Sequence, residues 1–358
     1  MLIVRSPVRI SFAGGGTDLP AYYEQFDGAV LSSAINKYFY TILGKRTDGR
    51  IQVISSDLRV FETWQDIASK STEGSGLEIP LAVLKNIGRD ISVDMFLASE
   101  IPPGTGLGSS ASVCVNILKA LTAYLHIPLS KYELAERSFH IARNLLRRHV
   151  GKQDEYAAAF GGLNFITFNR SGGVQVEPLE LDAEVMGQLQ SNLLLYFTGS
   201  AHNSWTILEE QEKSTSGRSG SAVDALHAVR ALAGRMREAL ENGRLSAFGA
   251  MLDEAWQAKK QVSSKISTSR IDQLYRVARE HGALGGKITG AGGGGFLLLY
   301  CDPERQESVR TAMAAIGVNE MAFAFDSQGA QVIVNDPFID GDERGGSRWT
   351  FVPASAVS

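Results

Sequence analysis

The stretch that most constrains this chain is "IPPGTGLGSSAS", Ile101 to Ser112. Glycines stand at 104, 106 and 108, two serines follow, and a breaker-free segment with helical spacing runs from Ala111 to Leu125. Glycines let a backbone approach an anion closely and turn its N–H groups inward, and a helix start adds partial positive charge. Serine hydroxyls at that point can reach a phosphate or its cation. The same residues also fit a plain strand-to-helix turn with the serines as N-caps. Two familiar loops are excluded. A Walker A loop needs Lys and then Ser or Thr after its last glycine, where this chain has Ser109 and Ser110. The dinucleotide pattern needs glycine at the position of Ser109.

Two further glycine clusters stand far apart. "KITGAGGGGFLLLY" formally contains G-x-G-x-x-G from Gly290 to Gly295, but an apolar strand follows it instead of a helix, so the dinucleotide context fails and a hairpin turn fits equally well. "SFAGGGTDL" places Thr17 and Asp18 after three glycines, a pattern that turn chemistry alone also explains.

The chain has 358 residues, more than the ~100–200 of one domain, so two α+β halves are expected, 1–182 and 183–358, joined near 175–190. A net charge of -4 and the lack of any Lys/Arg block argue against nucleic acid as a partner. No stretch approaches the ~20 apolar residues of a membrane span, and the N-terminus lacks a secretory apolar core, so no membrane partner and a cytoplasmic location are expected. Two distant cysteines, Cys114 and Cys301, read as buried thiols of a reducing compartment.

Along the chain, "MLIVRSPVRISFA" alternates as an edge or hairpin strand, and strands continue through "AVLSSAINKYFYTILGKR", "RIQVISSD" and "ISVDMFLAS". Ser130 followed by Glu133 opens a helix over "SKYELAERSFHIARNLLRRH" with a capping box. "GGLNFITF" and "LLLYFTG" are strands; Val223–Glu241, Leu245–Lys260 and Ile271–Glu280 are helices. Glu209 to Ala222 is polar and Ser/Gly-rich and reads as a mobile loop. No hydrolase elbow and no histidine or cysteine ligand set is present.

Taken together, "SPVRISFAGGGTD", "PPGTGLGSSAS" and "KITGAGGGG" resemble the three motifs of the GHMP small-molecule kinases, over nearly the whole chain. Within that superfamily, "RISFAGGGTDLPAYY", "GAVLSSAINKY", "GKQDEYAAAFGG" and "YFTG" are similar to bacterial heptose 7-phosphate kinases. The resemblance implies an N-terminal ribosomal-S5-like domain and a C-terminal ferredoxin-like domain with the active site between them. It implies ATP and Mg2+ as cofactors and a small-molecule sugar phosphate as partner. The implied reaction moves a phosphoryl group to an anomeric hydroxyl, converting heptose 7-phosphate to its 1,7-bisphosphate for nucleotide-sugar synthesis. Monomer and homodimer are both left open.

Carried over by position, the catalytic aspartate falls on Asp154 and its basic neighbour on Arg9. The phosphate loop falls on Pro103, Gly104, Thr105, Gly106, Leu107, Gly108, Ser109 and Ser110, with the Ser110 hydroxyl near Mg2+. Thr17, Asp18 and Lys152 fall on the substrate side, with Lys152 a cation beside Asp154, and Gly292 and Gly293 would close in from the second half. Lys37, Arg147, Arg148, Lys152 and Arg170 are the cations available to an acceptor phosphate.

Two departures stand out. The family's magnesium-binding Glu falls on Ala142, twelve residues before Asp154, leaving the metal to Ser110, Asp154 and the nucleotide's own phosphates. Where related sugar kinases carry Arg after "TG", this chain has His202, which opens the way to another acceptor, such as an octose 8-phosphate or fucose. An isoprenoid-precursor kinase and a ligand sensor without turnover are the other readings, the sensor fitting the missing Glu.

Overall fold

A computed structural model describes residues 1–336 other than 73, 75, 201–203, 216 and 218; His202 and the polar tail from Asp340 lie outside the described residues. Strand β1 (Leu2–Ala13) leads through the Gly14–Gly16 turn to helix α1 (Pro20–Phe26). There follow β2 (Gly28–Lys45), β3 (Ile51–Ser55), β4 (Val60–Trp64), α2 (Glu78–Ile87), β5 (Val93–Ser99), α3 (Ser109–Tyr124), α4 (Lys131–His140), α5 (Gln153–Phe160), β6 (Leu163–Phe168) and β7 (Val174–Pro178). The second half contains α6 (Ala183–Ser191), β8 (Leu193–Phe197), α7 (Ser204–Thr215), α8 (Ser221–Glu241), α9 (Leu245–Lys260), α10 (Ser269–Glu280), β9 (Gly285–Ile288), β10 (Phe296–Tyr300), α11 (Pro303–Ala315) and β11 (Gln331–Asn335).

The architecture is α+β. An eight-stranded sheet runs β11-β1-β2-β5-β3-β4, with β6 paired to β2 and β7 to β6, and a second sheet runs β8-β10-β9. A division at 182/183 separates β1–β7 from β8–β10, but β11 returns to pair with Leu2–Arg5 of β1. Length lets β2 serve two partners: Gly28–Ser33 pairs with β6 and Phe39–Lys45 with β5.

The apolar residues of the large sheet are covered on both sides. Leu2 and Val4 of β1 join a core with Val115, Leu118 and Leu121 of α3. Val8, Ile10 and Phe12 join another with Met236 of α8 and Phe248 and Leu252 of α9. These residues share one parity, so an unbroken strand would place them all on one face. The pairing with β2 slips between Pro7 and Val8, where proline offers no N–H to the ladder. The irregularity re-aims the strand. Ser6 therefore bonds Ser112 of α3, and Arg9, three residues on, turns toward the same helix layer.

Most expected elements are present, including the capping box of Ser130 and Glu133 on α4. Three differ. Helix α3 begins at Ser109 with Gly108 at its N-cap, so the serines are its first turn and not its cap. The helix expected to reach His149 widens into a π-turn over Ile141–Leu145 and ends by Arg147, whose φ is 52°. The polar stretch from Glu209 is helical as far as Thr215. Gln211 and Thr215 are fully buried and Ile207 is nearly so, which ordered packing explains and polar composition hides.

Candidate active site

Past Arg5, the outer edge of β1 has no strand partner among the described residues, and the site is built there. The Arg9 N–H donates to Leu107 O at 2.9 Å, which docks the 103–108 loop, and Lys287 Nζ donates to Ser11 O at 2.7 Å from the second half. In the loop, Gly104, Gly106 and Gly108 all have positive φ, 75° to 79°, a region side chains disfavour. The alternation sends Thr105 and Leu107 inward, both fully buried, and leaves the glycine backbone facing outward. A Cβ on Gly106 would lie 2.4 Å from Thr289 O, so the third glycine motif presses directly on the second. No side chain caps α3, which leaves its first N–H groups free for an anion.

These surfaces enclose a cavity of about 490 Å3, within the ordinary range for a small-molecule site. Pro103, Gly104, Gly106, Gly108, Ser109 and Ser110 line it, as do Arg9, Asp18 and Asp154. At its floor Arg9 holds Asp154 through two hydrogen bonds, 2.7 and 2.8 Å, while its Nη1 donates to Gly106 O at 2.7 Å. Asp18 is 5% exposed and accepts from the N–H groups of Gly16 at 2.7 Å and Gln153 at 3.2 Å. Burial and then the Asp154 charge push its carboxyl up, against those two donors.

Several expected residues lie elsewhere. Lys152 turns away from Asp154 to Glu136 Oε1 and Gly172 O, both at 2.7 Å, so Arg9 alone of the two expected cations reaches that carboxylate. Thr17 is fully buried and clasps Ala29, accepting its N–H and donating to its carbonyl, each at 3.0 Å, which fixes the turn. Gly292 and Gly293 pack on Ile266 outside the cavity, and Gly290 and Ala291 take the wall position instead. Of Lys37, Arg147, Arg148, Lys152 and Arg170, Arg148 lines the cavity, its guanidinium 4.1 Å from the Trp205 ring centre.

Two charged residues that sequence reasoning passed over also line the cavity. Lys259 of α9 donates to Gly15 O at 2.8 Å, and burial, opposed by the Asp18 charge, pushes it down to about 8. A signal existed: Lys259 falls in register with Phe248, Leu252, Ala255 and Trp256 on the apolar stripe of its helix. Glu155, next to Asp154, is 1% exposed, and burial and the Asp154 charge push its carboxyl well above the usual range. Helix α7 closes the far wall with Trp205 and Leu208, tied down where Glu212 meets Arg143 and His149, each at 2.6 Å.

Known proteins are similar to this chain in sequence and fold. The family models "GHMP kinases N terminal domain" and "GHMP kinases C terminal" match residues 78–162 and 236–319. The D-glycero-alpha-D-manno-heptose 7-phosphate kinase of Campylobacter jejuni is 32% identical over 332 residues, 91% of this chain and 97% of that protein. A solved D-glycero-D-manno-heptose 1-phosphate kinase from Bacteroides thetaiotaomicron has a TM-score of 0.79 at 29% identity, covering 94% of this chain and 100% of that one. The fold alone extends to Lactococcus lactis galactokinase, TM-score 0.73 at 19% identity over 92% of this chain and 94% of that one. With three glycine loops lining one cavity together with Asp154, and 32% identity to a heptose 7-phosphate kinase along almost the full length of both chains, this chain belongs to the GHMP kinases.

Proposed function

We propose that this kinase moves the γ-phosphoryl group of ATP to the anomeric hydroxyl of a phosphorylated higher sugar, D-glycero-D-manno-heptose 7-phosphate, giving the 1,7-bisphosphate. The observation that carries this reading is the Arg9–Asp154 pair, set between the uncapped start of α3 and the Asp18 turn. Phosphoryl transfer asks mainly for positioning and for neutralisation of charge. The N–H groups of Ser109, Ser110 and Ala111 and the glycine backbone of the 104–108 loop receive the triphosphate. Asp18 takes a sugar hydroxyl, and Asp154 orients the acceptor hydroxyl. As the new O–P bond forms, Asp154 accepts the hydroxyl proton while the bond from the γ-phosphorus to ADP breaks. Arg9 keeps the carboxylate aimed throughout by its two-pronged grip.

Magnesium fits the donors present. Ser110 is exposed on the cavity wall beside Asp154, and no cluster of three or more His, Cys, Asp or Glu is found among the described residues. That is the pattern of an ion held by one or two carboxylates plus substrate phosphates. Bound there, it would neutralise charge on the β- and γ-phosphates. The two buried free thiols, Cys114 and Cys301, suit a cytoplasmic enzyme.

The test is ADP release from Mg-ATP with heptose 7-phosphate, heptose 1-phosphate, octose 8-phosphate, fucose, galactose and mevalonate, with phosphorus NMR of the product. Turnover of heptose 7-phosphate to a 1,7-bisphosphate, abolished in Asp154→Ala, is the expected result. Turnover of another acceptor alone would overturn the substrate assignment, and nucleotide binding without turnover of any would overturn the reaction.

A further inference from the structure

The lining of the cavity presents an anomaly. Glu155 lines it, is 1% exposed, and its Oε2 has no hydrogen-bond partner among the described residues. Buried carboxylate oxygens are nearly always paired, because leaving one unsatisfied forfeits the hydration it had in water. The Arg9 charge acts on it and opposes the upward push of burial, but no cation among the described residues is bonded to it. Arg9 is committed to Asp154 and Gly106, and Lys152 to Glu136 and Gly172. The cavity that Glu155 lines is also lined by Cys114 and Ala142, two short side chains. Cys114 stands one turn after Ser110 on α3, so the two share a helix face. Helices α3 and α5 pack against each other, and the Glu155 charge joins burial in pushing the Cys114 thiol up.

Ala142 occupies the position where the resemblance to the kinases calls for a magnesium-binding Glu. A methyl group there leaves the room a longer side chain would fill. The chain is distorted at this point, with Leu146 N–H bonding Ile141 O and Arg148 N–H bonding Ala142 O, in a π-turn of the sort that often marks functional sites. We propose that Glu155 supplies the carboxylate that Ala142 lacks. It reaches the nucleotide-bound divalent cation from the neighbouring helix, α5, together with Ser110, and its orphaned Oε2 is the free ligand atom. Asp154 is thereby left to the acceptor hydroxyl. Consecutive helix residues diverge by about 100°; Asp154 turns to Arg9 and Glu155 to α3.

This inference rests on the phosphoryl-transfer reading but is tested without any acceptor. Mn2+ is titrated by electron paramagnetic resonance into the full chain carrying a non-hydrolysable ATP analogue, in wild type, Glu155→Gln, and Glu155→Gln combined with Ala142→Glu. Metal-free analogue affinity and thermal unfolding of each variant are measured alongside. Glu155→Gln keeps the size of the side chain and is expected to weaken Mn2+ about tenfold or more, the loss usual when a metal site loses support, with metal-free analogue affinity unchanged. The second carboxylate, on the Ala142 wall, is expected to restore it. Unchanged Mn2+ affinity in Glu155→Gln overturns this inference and leaves the kinase reading intact, whereas no analogue binding to wild type overturns the kinase reading itself. Should Glu155→Gln not fold, iron-directed radical cleavage of wild type decides: cuts beside 142 and 155 support the proposal, and their absence overturns it.

Discussion

Arg9 reaches both carboxylate oxygens of Asp154, Nε to Oδ1 at 2.7 Å and Nη2 to Oδ2 at 2.8 Å, and spends its remaining Nη1 on the Gly106 carbonyl. One side chain, 3% exposed, therefore ties β1, α5 and the 104–108 loop to a common point. Asp154 and the 104–108 loop cannot shift independently while this fork is closed.

Lysine at position 9 keeps the charge but loses the planar fork. We expect Arg9→Lys to lower kcat and raise the KM for ATP together, because it loosens both grips. Asp154→Asn should instead lower kcat by roughly 10²–10⁴-fold, the range of one acid–base group, with ATP affinity unchanged by calorimetry. Wild-type kcat in Asp154→Asn would remove this residue from the chemistry.

Gly106 has φ 79°, and a Cβ there would sit 2.4 Å from Thr289 O. The left-handed conformation alone costs an alanine about 1–2 kcal/mol, and the clash pushes the two halves apart at the site. Gly106→Ala should therefore unfold at lower denaturant and bind ATP more weakly. Gly15→Ala is the control. Its φ is not in the left-handed region and its Cβ would meet Ser11 Oγ at 3.4 Å, ordinary contact, so stability should hold. Equal stability of both variants would contradict the packing described.

The tight glycine turn at 104–108 and the helix after it were legible because glycine spacing followed by an unbroken apolar period has few other physical solutions. Asp154 and Asp18 were legible through resemblance, and the structure brings both to the cavity. Lys152 was misplaced because proximity in sequence was taken for proximity in space; at the start of α5 it points to Glu136 on α4, away from the next turn. The facing of Arg9 could not be read from alternation, since the slip between Pro7 and Val8 inverts the parity of the strand. Helix α7 was hidden by its polar residues, several of which serve buried contacts: Gln211 with Gly16 and Lys259, and Glu212 with Arg143 and His149.

Lys287 sits 5% exposed, and burial, with Lys259 and Arg9 nearby, pushes it down from 10.5 to about 7. Between those values the unfolded chain holds the proton that the folded protein has released, so this residue makes stability rise with pH. The cost of burying its charge is complete below pH 7 and is lifted as pH climbs toward 10.5. Lys287→Met removes that dependence. From pH 7 to pH 9 wild type should gain about 2 kcal/mol relative to the variant, at 1.36 kcal/mol per unit, in urea unfolding at each pH. A gap that stays constant would mean that the lysine keeps its proton, and so its hydration, in the fold.

Glu212 accepts from Arg143 Nη1 and meets His149 Nδ1, both at 2.6 Å, with only 10% of its side chain exposed. Through it, α7 is held against the segment that follows α4, so that Trp205 and Leu208 stay on the cavity wall. Glutamine keeps the size and gives up the charge, and a hydrogen bond to a charged group contributes about 1.5–3 kcal/mol. Glu212→Gln should therefore raise substrate KM roughly tenfold, equivalent to about 1.4 kcal/mol, while kcat falls less. Trypsin gives an independent readout at Lys213, which is exposed but protected by its helix. Faster cleavage there, together with the rise in KM, is the outcome of a loosened wall. Wild-type KM with faster cleavage would place α7 outside substrate binding, and no change in either would show that Glu212 does not hold the helix.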